Sequence, residues 1–217
     1  MRAFHNDPKI KDKYMARLQA HYAADEIVKG RYWEESNDHF AYETELGIPE
    51  ALARLQDCVF EGLTLEKAKE FPIEFLGSVN VGSDLSLVVD KFLHWLLVDV
   101  EHGVIQYSDD KQAVQNVADL YQRKIDGETI DISEWRAAAG ADYTAGAVYD
   151  AACASTAAAY NAAYNATLED AYDAYDAYDA AAAYNAAAYA AGYATGYAAI
   201  KVIQSEKLIE LIKGTVK

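Results

Sequence analysis

His21 and Asp25 are the two residues of this chain whose types and spacing best suit general acid–base chemistry. They stand four positions apart in a segment of helical periodicity, so they should face the same way, in line with the apolar stripe of Tyr14 and Leu18. A buried carboxylate can orient an imidazole and hold it ready as a general base. The simpler interpretation is a hydrogen-bonded polar pair at the edge of a core, joined by Arg17.

Other motifs that bind cofactors or metals are missing from the sequence. It contains no phosphate-cradling glycine loop, no Cys-x-x-Cys pair, no His-Glu-x-x-His and no nucleophile elbow. Asp90, His94 and Glu101 could ligate a divalent cation, but they lie opposite the apolar side of their predicted helix, on a solvated edge. We therefore expect no cofactor and no metal, and we favour a non-enzymatic protein.

The most informative feature is a set of tyrosines in the last third of the chain, where nearly every residue is Ala, Tyr, Asp, Asn, Gly or Thr. At about 100° per residue nearly all of these tyrosines fall on one stripe of a helix, and Tyr184 alone lies on the far side. Tyrosine is favoured where one end of a side chain is apolar and the other wet, as at protein interfaces. The candidate interaction residues are Tyr149, Tyr160, Tyr164, Tyr172, Tyr175, Tyr178, Tyr189, Tyr193 and Tyr197.

Helix signals occur throughout the chain, and no segment alternates with period two as strands do. Asp7-Pro8 predicts a helix that ends near Lys29, and Gly47-Ile48-Pro49 predicts one that Gly62 closes. Pro72 predicts an interruption or bend in the next helix. Ser83-Asp84 should cap a helix to Gly103, whose apolar side makes it the centre of the core.

These signals predict an all-α fold with two parts. Residues 1–132 should form a multi-helix globular domain, and residues 133–217 an Ala/Tyr-rich helical arm, because alanine is the best helix former. The arm is either one continuous helix or an antiparallel helical hairpin. Its final amphipathic stretch, residues 200–212, should pack either on the domain or on a second copy of the chain.

Composition bounds the location and the partners. No apolar run approaches the roughly 18 to 20 residues that span a bilayer, no secretory signal begins the sequence, and the two cysteines lie far apart as free thiols would, so we expect a cytoplasmic protein. The formal net charge is −16, and no basic residue stands between Arg136 and Lys201. Phosphate contacts need clustered Lys and Arg, so we expect no binding to nucleic acid or to membranes.

Five blocks of the sequence belong together: Phe4–Lys11, Ala24–Gly30, Tyr42–Pro49, Phe60–Leu63 and Trp95–Ile105. They resemble an uncharacterised family of helical proteins found in bacteria and tailed phages. The resemblance covers most of residues 4–136 and implies a phage-like setting, and members of that family often end in alanine-rich tails with spaced aromatics. It implies no catalytic residues, because no activity is known for the family.

One departure from the family pattern lies near Asp38-His39. The family carries a glycine-rich stretch with two cysteines between its counterparts of Trp33-Glu34 and Asp38-His39, and only Glu35-Ser36-Asn37 remains in this chain. A redox, metal or ligand role of that stretch is therefore not expected in this protein.

The sequence leads to one main functional hypothesis and two alternatives. The main hypothesis is a non-enzymatic protein that self-associates or binds a host or phage protein through the tyrosine-striped arm, in an accessory or anti-defence role. The first alternative is a small-molecule binder or enzyme that uses the His21/Asp25 region. The second is a structural spacer.

Overall fold

The computed structural model describes residues 1–27, 39–107, 111–140 and 197–216, and within these ranges the regular structure is helical, with no strand. The all-α fold class is therefore confirmed for this part of the chain. The predicted Ala/Tyr-rich helix, whether continuous or a hairpin, lies for the most part outside the described residues.

Two short 3-10 turns, Ala3–Asn6 and Val104–Tyr107, accompany the α-helices. In chain order the described helices are α1 (Pro8–Ala23), α2 (Phe40–Leu46), α3 (Glu50–Glu61), α4 (Leu65–Ser78), α5 (Val88–Val98), α6 (Lys111–Ile125), α7 (Ile132–Gly140) and α8 (Tyr197–Lys213).

The chain forms two compact units. The first comprises Met1–Val88 together with Lys201–Lys217, and the second comprises Val89–Ile200. The C-terminal helix therefore packs with the N-terminal helices of its own chain, which is one of the two arrangements expected for residues 200–212. The division at residue 132 rests on composition and stays a prediction.

The core of the first unit is apolar, as the helical periodicity of α3 predicts. Leu52, Leu55 and Val59 are fully buried along one side of α3. Helix α4 adds Phe71 and Phe75, whose ring centroids lie 6.2 Å apart. The predicted interruption at Pro72 does not shorten α4, which continues through the proline to Ser78.

The N-terminus begins with an unusual turn. Phe4, His5 and Asn6 have φ values of +54°, +50° and +62°, the left-handed region that costs a non-glycine residue roughly 1–2 kcal/mol. The turn is held because Ala3 N–H donates to the Ser83 carbonyl at 3.0 Å and its own carbonyl accepts from Gly82 at 2.9 Å. Complete burial of Phe4 adds an apolar contribution that offsets the backbone strain.

In the second unit, α5 ends at Val98 and not at the predicted Gly103. The cause is Asp99, whose carboxylate accepts hydrogen bonds from the backbone N–H of Glu101 at 3.1 Å and of His102 at 2.8 Å. These bonds favour a turn over another helical turn. Val100, which lies in the stretch predicted to be helical, is consequently 92% exposed, whereas Phe92 of α5 is fully buried.

A short connection joins helices α6 and α7 of the second unit, and two sets of side-chain contacts hold the helices together. The rings of Tyr121 and Trp135 meet edge to face with centroids 5.0 Å apart. Arg123 bridges Glu128 at 2.8 Å and Glu134 at 2.6 Å. The hydrogen bonds that Arg123 donates to Glu134 and Glu128 raise the pKa of its guanidinium, which therefore stays charged at all accessible pH values.

Candidate functional site

The predicted pair of His21 and Asp25 depends on both residues lying in one helix, and the structure ends α1 earlier, at Ala23. Asp25 has a φ of +56°, Asp25 N–H donates to Tyr22, and Glu26 N–H donates to His21. This hydrogen-bond pattern is a Schellman motif with Asp25 in the left-handed position that glycine usually fills. The four-residue spacing therefore does not place the two side chains on one helical face.

The Schellman motif gives each residue a different partner. Nδ1 of His21 lies 2.8 Å from Oε2 of Glu26, and Oδ1 of Asp25 lies 2.6 Å from Nζ of Lys69 on α4. The hydrogen bond that Lys69 donates to the Asp25 carboxylate raises the pKa of Lys69. The Asp25 side chain is 55% exposed, so this corner lacks the buried carboxylate that a poised general base needs.

The tyrosines of the predicted stripe from Tyr149 to Tyr193 lie in residues 141–196, outside the described residues. Tyr197 is the first residue of α8. The structure therefore does not bear on the stripe itself, which stays a prediction.

The structure joins a histidine and a carboxylate at another place, between α2 and α3. Nε2 of His39 is hydrogen-bonded to Oδ2 of Asp57, and the two side chains are 13% and 26% exposed. One helical turn along α2, the Tyr42 hydroxyl donates to Oε1 of Gln56 at 3.5 Å. The two contacts tie α2 to α3. Sequence reasoning named His39 but missed Asp57, because a spacing of 18 residues carries no local signal.

Sequence reasoning also missed Lys201 on α8. This residue belongs to the first unit and is fully buried. Its methylenes occupy the space beside Gly62, where a Cβ would lie 2.6 Å from both Cδ and Cε of Lys201. Cys58 and Glu61, both from α3, act electrostatically on its amine. One sequence signal was available: Lys201 shares the helical register of the buried residues Leu208 and Ile212.

Burial changes the protonation of both partners. Desolvation lowers the pKa of Lys201 to about 7, despite the opposing effect of Cys58 and Glu61. Burial, together with Glu61, raises the pKa of the Cys58 thiol to about 11. The amine is therefore partly neutral near pH 7 and the thiol stays protonated. Although a neutral amine is a nucleophile, this one is closed off from solvent, and the arrangement favours a role in packing.

The lowered pKa of Lys201 predicts a pH-dependent stability. In the unfolded chain the amine keeps its ordinary pKa of 10.5, so between pH 7 and 10.5 the unfolded state binds more protons than the folded state. The free energy of unfolding should therefore rise with pH from 7 to 9, by at most about 1.4 kcal/mol per pH unit. Above pH 9 the raised pKa of Cys58 acts in the opposite direction, because the folded thiol holds its proton longer, and the rise should flatten.

Urea unfolding at several pH values between 7 and 10 checks this result. The Lys201→Met protein should lose the slope between pH 7 and 9, and Lys213→Met, which changes an exposed lysine of the same helix, should keep it. An unchanged slope in Lys201→Met would assign the pH dependence to other groups.

Gln204 lies one turn after Lys201 on α8 and is also fully buried. Neither its Nε2 nor its Oε1 has a hydrogen-bond partner in the described structure. Buried amide groups are almost always hydrogen-bonded, since leaving one unpaired costs roughly 1–3 kcal/mol. The N-terminal part of α8 in the first unit is thus buried at an energetic cost.

Metal-ligating side chains are not clustered in the part of the chain that the structure covers: no three of its His, Cys, Asp and Glu residues are placed to hold an ion. Glu101 lies beyond the end of α5, so it does not share a helical face with Asp90 and His94. Asp90 instead lies 3.5 Å from Nζ of Lys124. None of the described helices is both long enough and apolar enough to cross a bilayer.

Comparison of the chain with protein-family models, with curated proteins and with solved structures finds no match in any of the three.

Proposed function

We propose that this protein is a non-enzymatic interaction protein of the cytoplasm that binds a protein partner or a second copy of itself through the tyrosine stripe of its C-terminal arm. The observation that carries the proposal is the helical phase of the tyrosines from Tyr149 to Tyr197. The described helices on either side support it: α7 is helical up to Gly140, and α8 begins at Tyr197. The phage-like setting that the sequence resemblance implies belongs to the same proposal.

The chemistry of tyrosine favours an interface over a dry core. A core built from so many phenols would bury many hydroxyl groups, each costing roughly 1–3 kcal/mol if unpaired, and phenylalanine or leucine would serve better there. The alanines between the tyrosines let another backbone approach closely, while the rings supply contact area at low entropic cost. The absence of Lys and Arg between Arg136 and Lys201 favours a neutral or basic partner surface.

The alternative of a small-molecule site at His21 and Asp25 has less support. Its two residues have separate partners, Glu26 and Lys69, on an exposed corner of the first unit. No observation on the described residues favours the spacer alternative over the interaction role.

A substitution in the whole chain tests the proposed interaction. Replacing Tyr164, Tyr172, Tyr175 and Tyr178 with serine should abolish concentration-dependent assembly in sedimentation velocity, because it removes four adjacent rings of the stripe. Replacing Tyr184, which lies off the stripe, with serine should leave assembly unchanged. The whole chain is used because α8 packs in the first unit, so a truncation at residue 132 would also remove part of that unit.

If the wild-type protein is monomeric at all concentrations, the test is instead the capture of host proteins. The wild-type, four-serine and Tyr184→Ser chains are each immobilised for this purpose. The proposal then requires a protein that binds wild type and Tyr184→Ser but not the four-serine chain. A bound set that is the same for all three chains would contradict it.

A further inference from the structure

Residues 1–4 form a strap that is docked on the rest of the first unit. Ala3 and Phe4 are completely buried, and the 3-10 turn that contains them packs against α1 and α2. The Ala3 N–H donates to the Ser83 carbonyl, and the Ala3 carbonyl accepts from the Gly82 N–H, at 3.0 and 2.9 Å. The strap therefore fills a pocket of the first unit that combines apolar burial with backbone hydrogen bonds.

The hinge between the strap and α1 consists of His5 and Asn6, whose side chains are exposed. Both residues have positive φ values, +50° and +62°, and so does Phe4 directly before them. Left-handed backbone brings the Cβ atom of a residue too close to a neighbouring carbonyl oxygen, which is why glycine usually fills such positions. The hinge is therefore strained in the conformation that returns the strap to its own unit.

Straightening of the hinge costs little besides. It gives up the hydrogen bond from the Asp7 N–H to the Phe4 carbonyl at 2.8 Å and the contact of His5 Nε2 with the Thr44 carbonyl at 3.1 Å. Asp7 and Thr44 are exposed, so water can replace the lost partners. The hinge also has room to move, because a cavity of about 490 Å³ borders it. The residues that line this cavity are Arg2, Asn6, Pro8, Val81 and Gly82.

We propose that the strap exchanges between two copies of the chain, so that residues 1–4 of each copy dock in the pocket of the other across a straightened hinge. A second copy offers the same pocket, in which Phe4 stays buried and Ala3 keeps its two backbone hydrogen bonds. The hinge meanwhile loses its left-handed strain, and short strained connections favour exchange for this reason. The inference concerns the first unit and does not depend on the tyrosine stripe.

Cross-linking between two differently substituted chains detects the exchange directly. One chain carries Arg2→Cys and the other Asp84→Cys, and both carry Cys58→Ala and Cys153→Ala, so that each has a single thiol. Positions 2 and 84 adjoin the two residues whose backbones are hydrogen-bonded, so a short bismaleimide reaches between them. It joins the two chains when the strap of the first occupies the pocket of the second.

The two chains also carry the four serine substitutions of the tyrosine stripe, so that the result is independent of assembly through the arm. We expect mass spectrometry to find position 2 linked to position 84, with a yield that rises with protein concentration. Absence of this cross-link at the highest soluble concentration would overturn the proposal.

Two substitutions at Asn6 change the strain of the hinge in opposite directions. Asn6→Gly relaxes the docked hinge of each chain and should weaken the association by at least about fivefold, the equivalent of about 1 kcal/mol per dimer. Asn6→Val should strengthen it by at least about thirtyfold, the equivalent of about 2 kcal/mol per dimer, because a β-branched residue strongly disfavours positive φ.

The control Lys9→Val adds the same apolar side chain at an exposed position of α1, and it should leave the association within twofold of the unsubstituted hinge. Circular dichroism establishes that each variant is folded. Equal cross-linking of the Asn6→Gly and Asn6→Val chains would contradict exchange driven by hinge strain. Should Asn6→Val fail to fold, the comparison of Asn6→Gly with Lys9→Val decides.

Discussion

Replacing Gly47 with alanine is expected to destabilise the first unit by about 3 kcal/mol or more, a large share of the stability of a domain. Gly47 ends α2 with a φ of +61°, where its N–H donates to the Glu43 carbonyl at 3.0 Å. A Cβ at this position would overlap the carbonyl oxygen of Arg2. Arg2 cannot move aside easily, because the next residue, Ala3, is held by hydrogen bonds to Gly82 and Ser83.

The matched control is Gly127→Ala. Gly127 also has a positive φ, +93°, but nothing lies within 4 Å of the position that its Cβ would take. This control carries only the backbone cost of a left-handed alanine, about 1–2 kcal/mol. Urea unfolding followed by circular dichroism measures both variants, with amide exchange followed in α3 for Gly47→Ala and in α6 for Gly127→Ala. Equal destabilisation of the two proteins would show that the close approach of Arg2 to Gly47 is not significant.

The beginning of α1 and the end of α3 were predictable from sequence because their capping residues act locally, whereas α5 begins at Val88 and not directly after the predicted cap at Ser83-Asp84. Asp7 accepts a hydrogen bond from Lys9 N–H at 2.9 Å, and Pro8 is the first residue of α1, as their order in the sequence indicates. Gly62 follows directly on the last residue of α3, which the sequence also predicts. In both cases a residue and its near neighbours decide the geometry.

The ends of α1 and α5 were predicted too late for one physical reason. Glycine is the usual residue at a helix end, so the sequence favours ends at Gly30, directly after Lys29, and at Gly103. In the structure an aspartate ends each helix instead: Asp25 adopts the left-handed conformation after α1, and Asp99 captures backbone N–H groups after α5. Both conformations are accessible to aspartate, and tertiary packing selects them.

The contacts of the candidate sites could not be predicted, because their residues are distant in sequence. Lys201 lies beside Gly62 on account of the way α8 packs in the first unit, and the composition near residue 201 does not indicate a neighbour more than a hundred positions away. The pairing of Asp25 with Lys69 likewise depends on how α1 and α4 pack. Amphipathic periodicity predicts which side of a helix is buried, but not against which element it packs.

A variant of identical composition isolates the phase of the tyrosines around the helix from their number. Positions two apart on a helix are rotated by about 200°, so exchanging a stripe tyrosine with an alanine two positions away moves the ring to the opposite side. The exchanged pairs are Tyr164 with Ala166, Tyr178 with Ala180, and Tyr189 with Ala187.

A second exchanged chain serves as the control, because it moves the same three tyrosines to other positions within the stripe. Its pairs are Tyr164 with Ala157, Tyr178 with Ala182, and Tyr189 with Ala186. Both chains keep the charge, the alanine content and the number of tyrosines of the wild-type protein. Any difference between the two chains therefore reports where the rings lie around the helix.

The most direct measurement is sedimentation velocity of the wild-type, out-of-phase and in-phase chains over the same concentration series, or capture of the same partner where wild type is monomeric. We expect the wild-type and in-phase chains to assemble alike and the out-of-phase chain to lose assembly. Equal assembly of all three chains would contradict the account, since adhesion would then follow from tyrosine content and not from a helical stripe.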